Sequence, residues 1–268
     1  MMSELLKANL VAHFAYYRRS RLLLAFGLVF LFLTLVFSLP AFILSSHVQA
    51  FSVLQRIFSE LNGLLILFSA GLGLFIISSH LRARNLKMVF TKPCPPAVWL
   101  GSVFLSAVLV SLMINLVILV LALEVSLVCR MRVVGGLFYT SADTFAASVG
   151  LIAYLMFLAI VMHPVIAVVF AVIFSSGTFY TALTWTQAAI EAGSKSAALR
   201  VLKNVFYFFY MLLPMNHAFA KESERIEASL RVSRGEWHYA FYSLGYALAL
   251  SALCYGLSLF LLQKKRLI

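Results

Sequence analysis

The chain has 268 residues, 63% of them apolar and 11% charged, with a formal net charge of +12. Soluble domains carry about 45–50% apolar and about 25% charged residues. The apolar excess must therefore face lipid, which excludes a water-soluble enzyme, and the scarcity of charge excludes a disordered chain. The positive balance would suggest nucleic acid in a soluble domain. In a membrane protein it reflects cytoplasmic loops rich in Lys and Arg, so no nucleic-acid partner is expected.

Residues 1–21 place Leu5, Leu6, Leu10, Val11, Phe14 and Tyr17 at helical spacing, with Lys7, Arg18, Arg19 and Arg21 between or after them. Ser3 is a candidate N-cap and Glu4 lies in the first turn. This pattern predicts an amphipathic helix on the membrane surface, with a helix packed on a partner as the alternative. The first span is expected over 22–44. It reads as a retained anchor because 21 residues precede it, more than the n-region of a signal peptide needs. A second span over 61–79 ends at His80, Arg82, Arg84 and Lys87. The basic loop 80–96 follows, closed by Pro93, Pro95 and Pro96, and a third span over 97–123 opens with Trp99.

Residues 124–143 read as a connection containing Gly135, Gly136 and Asp143. The apolar run from Thr144 to Trp185 is about twice one bilayer thickness and needs a break. Met162-His163-Pro164 supplies it, because proline has no N–H to donate. That gives spans over 144–162 and 165–185. Segment 186–237 holds five acids and seven bases, together with VFYFFYMLLPM at 205–215, which is too short to span and fits a re-entrant or interfacial piece. A sixth span over 239–262 ends in Lys264-Lys265-Arg266. The expected fold is an all-α polytopic membrane protein, one transmembrane domain over 1–268, with six transmembrane helices and an interfacial N-terminal helix.

With both termini inside, the inside segments hold eleven Lys and Arg against Glu4 alone, whereas the other ten cations accompany eight acids. The positive-inside bias thus predicts N-in and C-in.

Motifs for chemistry are sparse. GxxxxGK[ST], GxGxxG after a strand, GxSxG and HExxH do not occur, so the chain is not expected to be an enzyme. Cys94, Cys129 and Cys254 form no CxxC pair. Ionisable residues at mid-span, the mark of a proton or ion path, are scarce. Asn115 reads first as an interhelical hydrogen bond and second as a path residue. His163 is either a loop histidine or a partner contact. Met211, Met215 and His217 carry donors suited to a soft metal such as copper(I), although methionine is also ordinary apolar filler. Ala167, Ala171 and Ser175 recur every four residues, as in close helix packing within one subunit or at a dimer seam. In the loop, Arg82, Arg84, Lys87, Val89 and Phe90 are expected to form a short basic helix with one apolar edge, suited to a groove on a partner or to anionic headgroups.

This combination resembles the membrane-spanning permease of ATP-binding-cassette (ABC) transporters, in the type-2 exporter superfamily. The features carrying the likeness are the basic surface helix with its span (Lys7 to Leu44), the loop RARNLKMVFTKPCPPAVWLGSVF with Lys92-Pro93 and Gly101, and the ending SLFLLQKKRLI. Many members have a lysine after that glycine where this chain has Ser102. The resemblance implies an exporter permease in the inner membrane of a prokaryote, paired with a second copy as a homodimer. It also implies two separate ATPase subunits, which would bind ATP and Mg while this chain binds no cofactor. Residues Arg82, Arg84, Asn85, Lys87, Met88, Phe90, Lys92 and Pro93 would form the coupling helix, and 186–237 would gate the exit. Other readings are a permease supporting metalloenzyme maturation through sulfur or copper species, a non-transporting scaffold or immunity protein, and a secondary carrier or channel.

Overall fold

A computed structural model describes residues 2–19, 27, 47–81, 95–174, 176–192, 197–213 and 220–266. Among them the elements are α1 (Met2–Arg19), α2 (His47–Leu81), α3 (Pro96–Val128), α4 (Val134–Val161), α5 (Pro164–Ile173), α6 (Ser176–Glu191), α7 (Ala197–Leu212), α8 (Ala220–Ser229), a 3-10 turn (Arg234–Glu236) and α9 (Trp237–Arg266). All are helical, and four stretches are long and apolar enough to cross a membrane: Phe51–Phe75, Pro96–Val128, Val134–Val161 and Arg234–Lys264. These are features of a multi-pass membrane protein. The span expected over 22–44 lies outside the described residues apart from Gly27.

The centre of the bundle is α4, which packs against α2, α3, α5, α8 and α9. Its composition explains why. Gly136, Ala146, Ser148, Gly150, Ala153 and Ala159 are small and buried, so neighbouring backbones come close. In lipid, where apolar surface gains little from burial, such packing and interhelical hydrogen bonds hold helices together. A side chain at Gly73 of α2 would meet the Ile152 carbonyl at 3.4 Å.

Two apolar clusters mark the two ends of the bundle. One joins Tyr17, Trp99, Leu100, Val103, Ile160 and Leu262. The other joins Leu54, Phe58, Ile118, Val133, Leu137 and Leu230. Hence α2, α4 and α9 run in one direction and α3 in the other. The start of α3 and the ends of α4 and α9 share one end with α1.

At the break expected around 162–164, α4 stops at Val161, Pro164 occupies the first turn of α5, and His163 caps it by accepting the Val165 N–H at 3.4 Å. The expected span 165–185 is not one helix. Phe174 leaves helical geometry (φ −93°, ψ 46°), which separates α5 from α6. The break is bridged by rings, with Phe170 on Phe174 at 4.2 Å and Phe174 on Phe179 at 6.1 Å between centroids. Ten residues make α5 about 15 Å long, half a hydrocarbon core. From there α6 pairs with α7, Phe179 lying on Phe209 and Tyr180 on Tyr210. The run 205–215 begins in the last half of α7, and its residues from 214 onward lie outside the described residues.

Candidate functional site

The residues that position the basic loop are the first turns of α3, and they are held from two sides. On one side stands α1. His13 Nε2 lies 3.1 Å from the Ser102 hydroxyl, and Tyr17 OH lies 3.2 Å from the Ser106 hydroxyl. The two contacts repeat at i,i+4 on both helices, as two packed helical faces require. Both serines also donate to the carbonyls three residues back, Trp99 and Val103, so their oxygens are oriented. His13 and Tyr17 are buried in this seam. Burial pushes the Tyr17 phenol above its ordinary value, outweighing the lowering effect of Ser106.

On the other side stands α9. Tyr255 OH donates to the Ala97 carbonyl at 2.7 Å, satisfying a backbone acceptor in the opening turn of α3. Gly101 makes this possible, since a side chain there would meet the Tyr255 oxygen at 3.3 Å. Ser102 and Gly101, singled out in the sequence only by their place in a motif, are therefore the contact points of α1 and α9.

Deeper in the bundle, Ser69 and Ser111 hydroxyls lie 2.9 Å apart and join α2 to α3. Asn115 exchanges two hydrogen bonds with Ser141: its Nδ2 donates to the Ser141 carbonyl at 3.0 Å, and the Ser141 hydroxyl donates to its Oδ1 at 3.1 Å. Asn115 is thus an interhelical fastener between α3 and α4. Asp143, expected in a connection, lies inside α4 and accepts from the Ser243 hydroxyl of α9 at 2.6 Å. Asn62 is buried on α2, and neither its amide nitrogen nor its oxygen has a hydrogen-bond partner among the described residues.

The sequence-derived site residues are placed unevenly. Arg82, Arg84, Asn85, Lys87, Met88, Phe90, Lys92 and Pro93 lie outside the described residues, as do Met215, His217 and Ser175. Met211 is exposed, and its carbonyl accepts from Tyr246 OH at 2.8 Å. Ala167 is fully buried within the chain and Ala171 is half-buried. No group of three or more His, Cys, Asp or Glu capable of holding a metal occurs among the described residues.

The far end of the bundle carries residues that sequence reading did not single out. The α3–α4 connection and the exit of α8 are locked together there. Met131 N–H donates to Ser126 O at 2.8 Å, and the Ser126 hydroxyl returns to Met131 O at 3.1 Å. Arg130 (φ 53°) and Leu230 (φ 48°) both adopt left-handed backbone, a conformation that costs about 1–2 kcal/mol for a residue with a Cβ. Gly136 lies directly against the Leu230 backbone, leaving no room for a methyl group. Beside this lock lies a cleft of about 570 Å³ lined by Phe51, Arg130, Met131, Arg132, Val133, Ser229 and Arg231. Near it, Arg225 pairs with Glu236, whose other oxygen accepts the Ser233 N–H at 2.6 Å.

Comparison with family models, with curated proteins and with solved structures found no match.

Proposed function

We propose that this chain is the permease subunit of an ATP-driven exporter of the type-2 ABC superfamily. It would have six spans with both termini cytoplasmic, and it would work as a homodimer above two ATPase subunits that bind ATP and Mg. The observation that carries the reading is the double anchoring of the first turns of α3, by His13 and Tyr17 of α1 and by Tyr255 of α9. A motor docked on loop 80–96 pushes on whatever the loop is attached to. A loop leading into a braced helix start transmits that push to α3, to the surface helix and to α9 together. The location of the end of α1, the α3 start and the α9 end at one end of the bundle supports a single docking face there. Segment 186–237 then stands at the opposite end, where substrate would leave.

The test is coexpression and copurification with candidate ATPase subunits that carry Walker motifs. The wild-type complex should hydrolyse ATP in a substrate-stimulated manner. The variant carrying Arg82→Glu, Arg84→Glu and Lys87→Glu should lose copurification or stimulation at least tenfold while keeping its own fold. A complex that survives the triple charge reversal with stimulated hydrolysis intact would remove the loop from the docking role.

A further inference from the structure

We propose that the cleft at the far end of the bundle binds a phosphoester anion, and that the anion is the headgroup of an acidic phospholipid. The inference stands on that cleft and on the four long helices lying in a membrane, and it does not depend on the exporter reading.

Three arginines, Arg130, Arg132 and Arg231, line one cleft from two separate elements, the α3–α4 connection and the segment after α8. All three are exposed, and their guanidinium groups make no ion pair or hydrogen bond among the described residues. Arg225, nearby in sequence, shows the contrast, since it is matched by Glu236. Gathering three like charges with no acid among the described lining residues raises the energy of the empty site, and an anion removes that cost. Guanidinium forks match the oxygens of phosphate in bidentate geometry, and Ser229 adds a hydroxyl at the cleft wall.

The mounting is rigid. Arg130 holds left-handed backbone, its N–H donates to Leu127 O at 3.1 Å, and the Arg231 N–H donates to the Ser229 hydroxyl at 3.3 Å. The Gly136–Leu230 contact joins the two halves of the cleft. Strained backbone held by its surroundings is a mark of residues kept in place for a ligand.

The remaining wall selects the source of the phosphate. Phe51, Met131 and Val133 are apolar, and the adjoining helix ends expose Leu127, Val128 and Val134. A free ion gains nothing from apolar walls. A lipid places its phosphate on the arginines and its glycerol and upper acyl carbons on those side chains. The cleft's volume suits one headgroup.

The experiment uses the full chain in neutral detergent, with its unfolding temperature followed against added phosphatidylglycerol, phosphatidylcholine or inorganic phosphate at fixed ionic strength. Phosphatidylglycerol is expected to raise the unfolding temperature saturably and phosphatidylcholine not to. The variant R130Q/R132Q/R231Q should bind phosphatidylglycerol at least a hundredfold more weakly. Where that triple variant fails to fold, the single variants, each at an exposed position, should each weaken binding about tenfold, the size expected for one charge-assisted contact. Stabilisation by inorganic phosphate alone, lost in the variants, would keep the anion site and replace the lipid by a soluble phosphate. Equal responses to phosphatidylglycerol in wild type and variants, or no response to either anion, would overturn the proposal.

Discussion

Gly136 is the residue on which most structure converges. It lets α4 begin beneath the carbonyl of Leu230, whose own left-handed backbone is fixed by a side chain buried among Leu137 and Val133. A methyl group at 136 must displace a backbone that has no freedom to move. Gly136→Ala is expected to destabilise the chain by about 3 kcal/mol, the upper range for overpacking, as read by reversible unfolding in mixed micelles. A change below about 0.5 kcal/mol, the level of an ordinary surface substitution, would show that this contact is not rigid. The same scale shows what a sequence conveys and what it hides. Asn115 is legible as a fastener because a lone amide in an apolar helix needs a partner. Its partner Ser141 is hidden, since serine is common and the match is set by the register of α3 against α4. Asp143 is misread as part of a loop for a related reason. An acid beside Gly135 and Gly136 looks like a connection, and only the packed helix supplies Ser243 to hold it.

The decisive element is α1. Its apolar spacing is visible in the sequence, and His13 lies one turn before Tyr17 on that same face, but nothing in the sequence names the partner that a buried histidine there needs. Tertiary packing turns that face inward, onto Ser102 and Ser106. Tyr17→Phe removes one hydrogen bond and keeps the ring, so it should loosen α1 by about 1 kcal/mol. Amide exchange across α1 should accelerate correspondingly while that of α4 stays unchanged. Combining it with Ser106→Ala should cost less than the sum of the two single changes, since the two residues share one bond. Fully additive effects would mean that the two hydroxyls act apart. Among the other elements, the division of 165–185 into α5 and α6 has only a short signal, Ser175-Ser176-Gly177, set inside an otherwise apolar run, and the rings of Phe170, Phe174 and Phe179 lie across the break.

At the scale of the whole molecule, composition points to a membrane protein and the charge pattern predicts which ends face inside, whereas the packing order around α4 comes only from the structure. The native cysteines sample the membrane levels. Cys94 belongs to the basic loop, Cys129 ends α3 at the opposite side, and Cys254 is buried within α9. With a membrane-impermeant maleimide on intact cells, Cys129 should react, Cys94 should react only after permeabilisation, and Cys254 should stay protected. Labelling of Cys94 from outside would invert the molecule.

The central claim is that the basic loop receives an ATPase, and a photo-crosslinking residue at Lys87 tests it most directly. Activated in living cells, it should yield one dominant adduct of this chain with a protein carrying a Walker motif, identified by mass spectrometry and lost when Arg82 and Arg84 are changed to Glu. Adducts confined to lipid or to a second copy of this chain would contradict the account.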